Sequence, residues 1–147
     1  MIHLKEIDQS NFNECIALKR KSEKFVGNAV YVLAEGYTFK HHSTTHGIYN
    51  DDIMVGMVTV MDKPSNNRAY GFTNMFIADN YQRKGYGKQA VAVILDKFQK
   101  QRKADTVELC VHESNKIALS IYKNFGFIEI GREAWNNKFI KLLLVLS

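Results

Sequence analysis

The stretch NYQRKGYGKQA at residues 80–90 limits the possible folds of this chain more than any other. Two glycines stand two residues apart, with Arg83, Lys84 and Lys88 around them. The apolar strand-like run AYGFTNMFIA precedes the turn, and VAVILDKFQKQRK follows it directly. In that run Val91, Ile94, Leu95 and Phe98 fall at i, i+3, i+4 and i+7. This spacing predicts a helix over 86–102 with one buried stripe. A strand, a glycine turn and a helix together make an anion site, because the first amides of a helix lack intrahelical partners and point outward. Glycine lets the backbone approach an anion with no Cβ between them.

Two nucleotide-loop readings fail on spacing. A Walker loop needs four residues between its glycines and then Gly-Lys-Ser/Thr, and a dinucleotide fingerprint needs a third glycine where this chain has Ala90. Charge supports a local anion site. Residues 82–103 hold seven basic side chains against Asp96 alone, while the rest of the chain holds 13 basic and 14 acidic ones. The net charge of +5 is therefore one basic segment on a near-neutral chain, which argues against a broad nucleic-acid face.

The remaining elements follow from period and punctuation. IHLKEI alternates as a strand, and NFNECIALKRK begins a helix with Asn11 as cap and Glu14 completing a near capping box. NAVYVLAEGYTF reads as a second helix capped by Asn28. HGIYN and IMVGMVTVMD read as strands joined by the acidic turn Asp51-Asp52, and KPSNNR reads as a loop. TVELCVH alternates as a strand. Asn115 opens a short helix with Ala118, Ile121, Tyr122 and Phe125 on its apolar face, and Gly126 stops it. FIEIG and KFIKLLLVL supply two last strands, giving the order β-α-α-β-β-β-α-β-α-β-β. With 147 residues and a single proline, one domain over 1–147 is expected. No apolar run approaches a membrane span, and MIHLKEIDQS has charges where a secretory leader needs an apolar stretch. Cys15 and Cys110 form no metal or redox pattern, so reduced thiols in a cytoplasmic protein are expected. The five histidines, including His41-His42, read as loop residues, and no metal is expected.

YQRKGYGKQA has the form Gln-x-x-Gly-x-Gly and resembles the acyl-CoA pyrophosphate loop of the GCN5-related N-acetyltransferases. About thirty residues on, NKIALSIYKNFGF is similar to that family's second signature, Asn-x-x-Ala-x-x-x-Tyr-x-x-x-Gly-Phe, at every position. Two such motifs at this separation are far more specific than either alone. Within the family the N-terminal helices and VLAEGY look most like the bacterial polyamine (spermidine and spermine) acetyltransferase branch.

The resemblance implies a mixed α/β fold: a twisted, mostly antiparallel sheet with splayed central strands, flanked by helices. It implies acetyl-CoA as cosubstrate and a small amine as acceptor, with homodimerisation left open. Gln82, Arg83, Lys84, Gly85, Tyr86, Gly87 and Lys88 match the pyrophosphate loop, and Met75, Phe76 and Ile77 match the strand whose backbone pairs with the pantetheine arm. Asn115 and Ala118 match cofactor contacts, and Tyr122 matches the tyrosine aimed at the cofactor sulfur. Some polyamine acetyltransferases carry an acid on the central strand, where this chain has Thr73 and Asn74. Asn74 and Glu35 are the acceptor-side candidates, and the base is left open. Rival readings keep the chemistry with another amine (a protein N-terminus, an aminoglycoside, an amino-acid-like metabolite), or make the chain a non-catalytic CoA sensor.

Overall fold

The structure, a computed structural model, describes residues 1–22, 24–65 and 68–147. Its elements are β1 (Ile2–Glu6), α1 (Phe12–Ile16), α2 (Ala29–Thr38), β2 (Thr44–Asn50), β3 (Ile53–Met61), β4 (Gly71–Ile77), α3 (Tyr86–Gln101), β5 (Thr106–His112), α4 (Lys116–Asn124), β6 (Ile128–Arg132) and β7 (Phe139–Val145). A single 3-10 turn, Asp79–Tyr81, links β4 to α3. The element order is the expected one. Two positions of the expected KPSNNR loop, 66 and 67, lie outside the described residues.

The strands form two antiparallel sheets, ordered β1-β2-β3-β4 and β5-β7-β6. They touch at one parallel bridge between Tyr70 and Val107. There Tyr70 N donates to Thr106 O (2.9 Å) and Glu108 N donates to Tyr70 O (2.8 Å). Tyr70 is fixed at this seam by its ring, stacked 4.1 Å from Phe98 of α3, and by its hydroxyl, which accepts from Lys103 N at 2.7 Å. Beyond the seam β4 and β5 no longer pair, so the two sheets open like a V.

β3 is buried at all seven interior positions, as a strand covered on both faces must be. One face packs on α3 and α4 through Val55, Val58, Ile94, Phe98, Leu119 and Tyr122 among others. The other packs under α1 and α2 through Cys15, Val32, Met57 and Phe76.

Several local expectations are corrected. Asn11 does not cap α1: its side chain is buried, accepting from Asp8 N and donating to Glu6 O, so the capping box is absent and the helix ends at Ile16. On α4 the expected face of Ala118, Ile121, Tyr122 and Phe125 does pack on the core, and buried Leu119 joins it. The histidines are not all in loops. His3, His46 and His112 lie on strands, and His46 is buried against Thr44 O.

Candidate active site

The mouth of the V lies at the end of β4, where the glycine turn begins. Gln82 folds back there, donating from Nε2 to Ile77 O (2.9 Å). Gly85 has φ +80° and caps α3. The first bond of α3 runs from Gln89 N to Gly85 O, so the amides of Tyr86, Gly87 and Lys88 have no intrahelical acceptor. A Cβ at Gly85 would meet nothing nearer than 3.7 Å, so glycine is required there by backbone conformation and not by crowding within the chain. Arg83, Lys84 and Lys88 are exposed around these amides. Tyr86 turns away from them: its hydroxyl accepts from Asn50 Nδ2 (3.1 Å) and ties the helix to the end of β2. The turn thus offers free amides, positive charge and room, which suits a pyrophosphate.

A cleft of about 280 Å³ runs between the splayed strands. Phe72, Thr73, Asn74 and Met75 line it from β4, Leu109, Cys110, Val111 and His112 from β5, and Asn115, Ala118, Ile121 and Tyr122 from α4 and its cap. Of the three expected strand residues, Met75 faces this cleft, Ile77 packs on the main core, and Phe76 turns to the opposite face beneath Arg20, whose guanidinium lies 4.1 Å from the ring centre. Asn115 has two roles, since its Oδ1 accepts from Ala118 N as the α4 cap while the residue lines the cleft. The cleft has an apolar wall with flanking polar groups, which suits an acyl-pantetheine arm.

Tyr122 sits in this wall with its ring edge-on to Phe72 and Phe127 at 5.8 and 5.9 Å. Burial pushes its phenol up to about 12, so it stays protonated and has a proton to donate at neutral pH. Neither cysteine suits nucleophilic work. Burial raises Cys15 to about 11, and burial with the Glu133 carboxylate does the same for Cys110, so both remain thiols.

The two acceptor-side candidates meet. β4 carries one residue more than β3 between the pairs Thr59↔Thr73 and Met57↔Phe76, a bulge. Asn74 lies in it with φ +54°, and its Nδ2 donates to Glu35 Oε1 at 2.6 Å. Tyr31 Oη donates to Glu35 Oε2 at 2.8 Å, a bond that holds the phenol above its usual range. Glu35 is one wall of a second, larger groove of about 560 Å³, with Phe39, Thr59, Arg68, Thr73 and Trp135. Thr73 lines both cavities, so cleft and groove adjoin at the β4 bulge. Asp51 is not near them; it pairs with the Met1 amine.

Sequence reasoning missed Phe25, which lies across the cleft 5.7 Å from His112, and Trp135 in the groove. The available signal was an aromatic residue set among polar neighbours, in SEKFVGN and REAWNNK. Among the described residues no group of three or more His, Cys, Asp or Glu could hold a metal, and no helix is long and apolar enough to cross a membrane.

Comparison with known proteins gives the same picture. The fold aligns over 99% of this chain with spermidine N-acetyltransferase from Vibrio cholerae, solved with CoA and spermine, at TM-score 0.78, 15% identity and 96% coverage of that chain. It also aligns over its whole length with the ribosomal-protein-S18-alanine N-acetyltransferase from Escherichia coli, at TM-score 0.74, 16% identity and 95% coverage of that chain. At these identities the likeness is one of fold. A spermine/spermidine N(1)-acetyltransferase from Bacillus subtilis (strain 168) is 26% identical over 92 residues, covering 59% of this chain and 60% of the relative's length. The acetyltransferase (GNAT) family model matches residues 6–127, a span that includes the glycine turn, the splayed strands and the helix bearing Tyr122, and the chain belongs to that family.

Proposed function

We propose that this protein moves the acetyl group of acetyl-CoA to a primary amine of a small molecule, with a polyamine such as spermidine or spermine as acceptor. The observation that carries the reading is the continuity of the site. β4 lines the cleft and leads through the 3-10 turn to the free helix amides at Gly85, and the protonated Tyr122 lines the same cleft. The second groove joins that cleft at Thr73. The bound thioester supplies an activated acetyl group; the chain holds it and moves protons. The turn binds the pyrophosphate, and β4 and α4 enclose the arm. An amide on the splayed strand stabilises the developing oxyanion. Tyr122 donates to the departing sulfur as the C–S bond breaks. Attack is direct, in a ternary complex, since both thiols are held protonated.

The polyamine acceptor is supported by the relatives' substrates and by the half-buried Glu35 in an aromatic-walled groove. Release of free CoA from acetyl-CoA, measured over a panel of amines, tests both levels. Spermidine and spermine should turn over faster than lysine peptides, amino acids or aminoglycosides. Turnover with another amine and none with polyamines rejects the acceptor. Tight CoA binding with no turnover on any amine rejects catalysis and leaves a CoA sensor.

A further inference from the structure

β4 has no acid at its bulge, only Thr73 and Asn74, so the group that takes the proton from the attacking ammonium must come from elsewhere. One carboxylate is brought to that place. Asn74 lines the cofactor cleft, yet its side chain reaches α2 and holds Glu35 Oε1 at 2.6 Å. Tyr31, one helical turn before Glu35, holds Oε2 at 2.8 Å. Both donors are neutral, and each carboxylate oxygen accepts one bond. Glu35 forms no ion pair among the described residues. Each oxygen keeps a further lone pair for an incoming N–H. An amide and a phenol orient the carboxylate without adding charge.

We infer that Glu35 is the proton acceptor of the transfer, with Asn74 and Tyr31 as its positioning residues. The assignment rests on the acetyl-transfer reading above. Glu35 takes one proton from the alkylammonium. The freed nitrogen pair forms the N–C bond to the carbonyl carbon of the acetyl thioester. The C–S bond then breaks with its electron pair on sulfur, which takes the Tyr122 proton. The nitrogen loses its second proton to solvent as Tyr122 regains one, and Glu35 releases its own. The products are the N-acetyl amine, the free thiol and one proton, with no oxidation or reduction. The charged and titratable groups around this carboxylate are Tyr31 on its own helix, His42 from the segment after α2, and Arg68 from the segment before β4.

The test is Glu35→Gln, close in shape, assayed on the folded full chain with spermidine and with an alkoxyamine. Simple alkylamines are protonated at neutral pH, whereas an alkoxyamine is already neutral and needs no base. With spermidine kcat should fall on the order of 10²-fold or more, the scale of general base catalysis. Acetyl-CoA affinity should change little, and the remaining rate should keep rising with pH toward the amine's own pKa, about 10. With the alkoxyamine the loss should shrink to less than about tenfold. Asn74→Ala, which leaves the carboxylate but frees it, should give an intermediate loss with the same acceptor dependence. A rise in KM with kcat unchanged would overturn the assignment and make Glu35 a binding carboxylate only. An equal loss with both acceptors would overturn it too, since it would mark lost geometry. A parent protein that turns over no amine fails at the acetyl-transfer reading itself and takes this assignment with it.

Discussion

Asn74 Nδ2 lies 2.6 Å from Glu35 Oε1, a bond between a strand bulge and a helix 39 residues apart in sequence. It exists because α2 sits unusually close to the sheet. Gly36, the residue after Glu35, is buried where a Cβ would come within 2.2 Å of Thr45 Oγ1.

Gly36→Ala sets two effects against each other. Helix propensity alone favours alanine by about 1 kcal/mol. The contact with Thr45 forces α2 outward or Thr45 aside, an overpacking effect of about 1–3 kcal/mol. We expect net destabilisation in denaturant unfolding together with reduced turnover, because Glu35 moves with the helix. Thr45→Ala should restore much of the stability, and a double-mutant cycle reads the coupling. Equal or higher stability in Gly36→Ala would refute the packing argument.

Gly85→Val should weaken acetyl-CoA binding by tenfold or more, on the order of 1.4 kcal/mol per tenfold. Its φ of +80° resists a β-branched side chain, and the added methyls would stand where the phosphates approach. The chain leaves room for the added atoms, so the cost to folding is backbone strain at this one residue, about 1–3 kcal/mol. Calorimetry on the folded variant checks this, and unchanged affinity would remove the turn from the cofactor site.

Tyr122→Phe should keep the fold and near-normal acetyl-CoA affinity while kcat falls on the order of 10²-fold. The loss should shrink with a thioester of a more acidic thiol. Because burial raises the phenol to about 12, the neutral donor persists throughout the assay range. The parent kcat should therefore show no alkaline fall from this group below about pH 10. An equal rate in Tyr122→Phe with both thioesters would make it a packing residue.

His46 contributes to acid stability. Burial first, then the Lys97 charge, lower its pKa to about 4, against the pull of Asp62, which pairs with Lys97 at 3.1 Å, and of Thr44 O. A histidine neutral in the fold and protonated when unfolded stabilises the fold above its unfolded pKa, about 6.5. That contribution is lost as pH falls from there toward 4 and amounts to about 3 kcal/mol in full. Thermal unfolding should show Tm dropping across this window. His46→Gln should flatten the drop, and an unaltered pH dependence would refute the assignment.

Local chemistry made much of this protein readable from its sequence. Strand alternation, the 3.6-residue stripe of α3, the Asn28 and Asn115 caps and the Gly126 stop act over a few residues, and each element formed where those signals stood. The glycine turn and the helix of Tyr122 were legible for the same reason. Asn11 failed as a cap because burial gave its side chain two other backbone partners. What no local signal carried was the meeting of distant groups. The splay of β4 from β5 at Tyr70, the left-handed bulge at Asn74, the approach of α2 over Gly36 and the burial of His46 arise only when sheets and helices pack. Sequence placed Tyr122 on its helix and Glu35 on another. Packing opened the cleft beside the first and carried the second to the strand that lacks an acid, because a hydrogen bond has a reach of about 3 Å and sequence distance has no bearing on it.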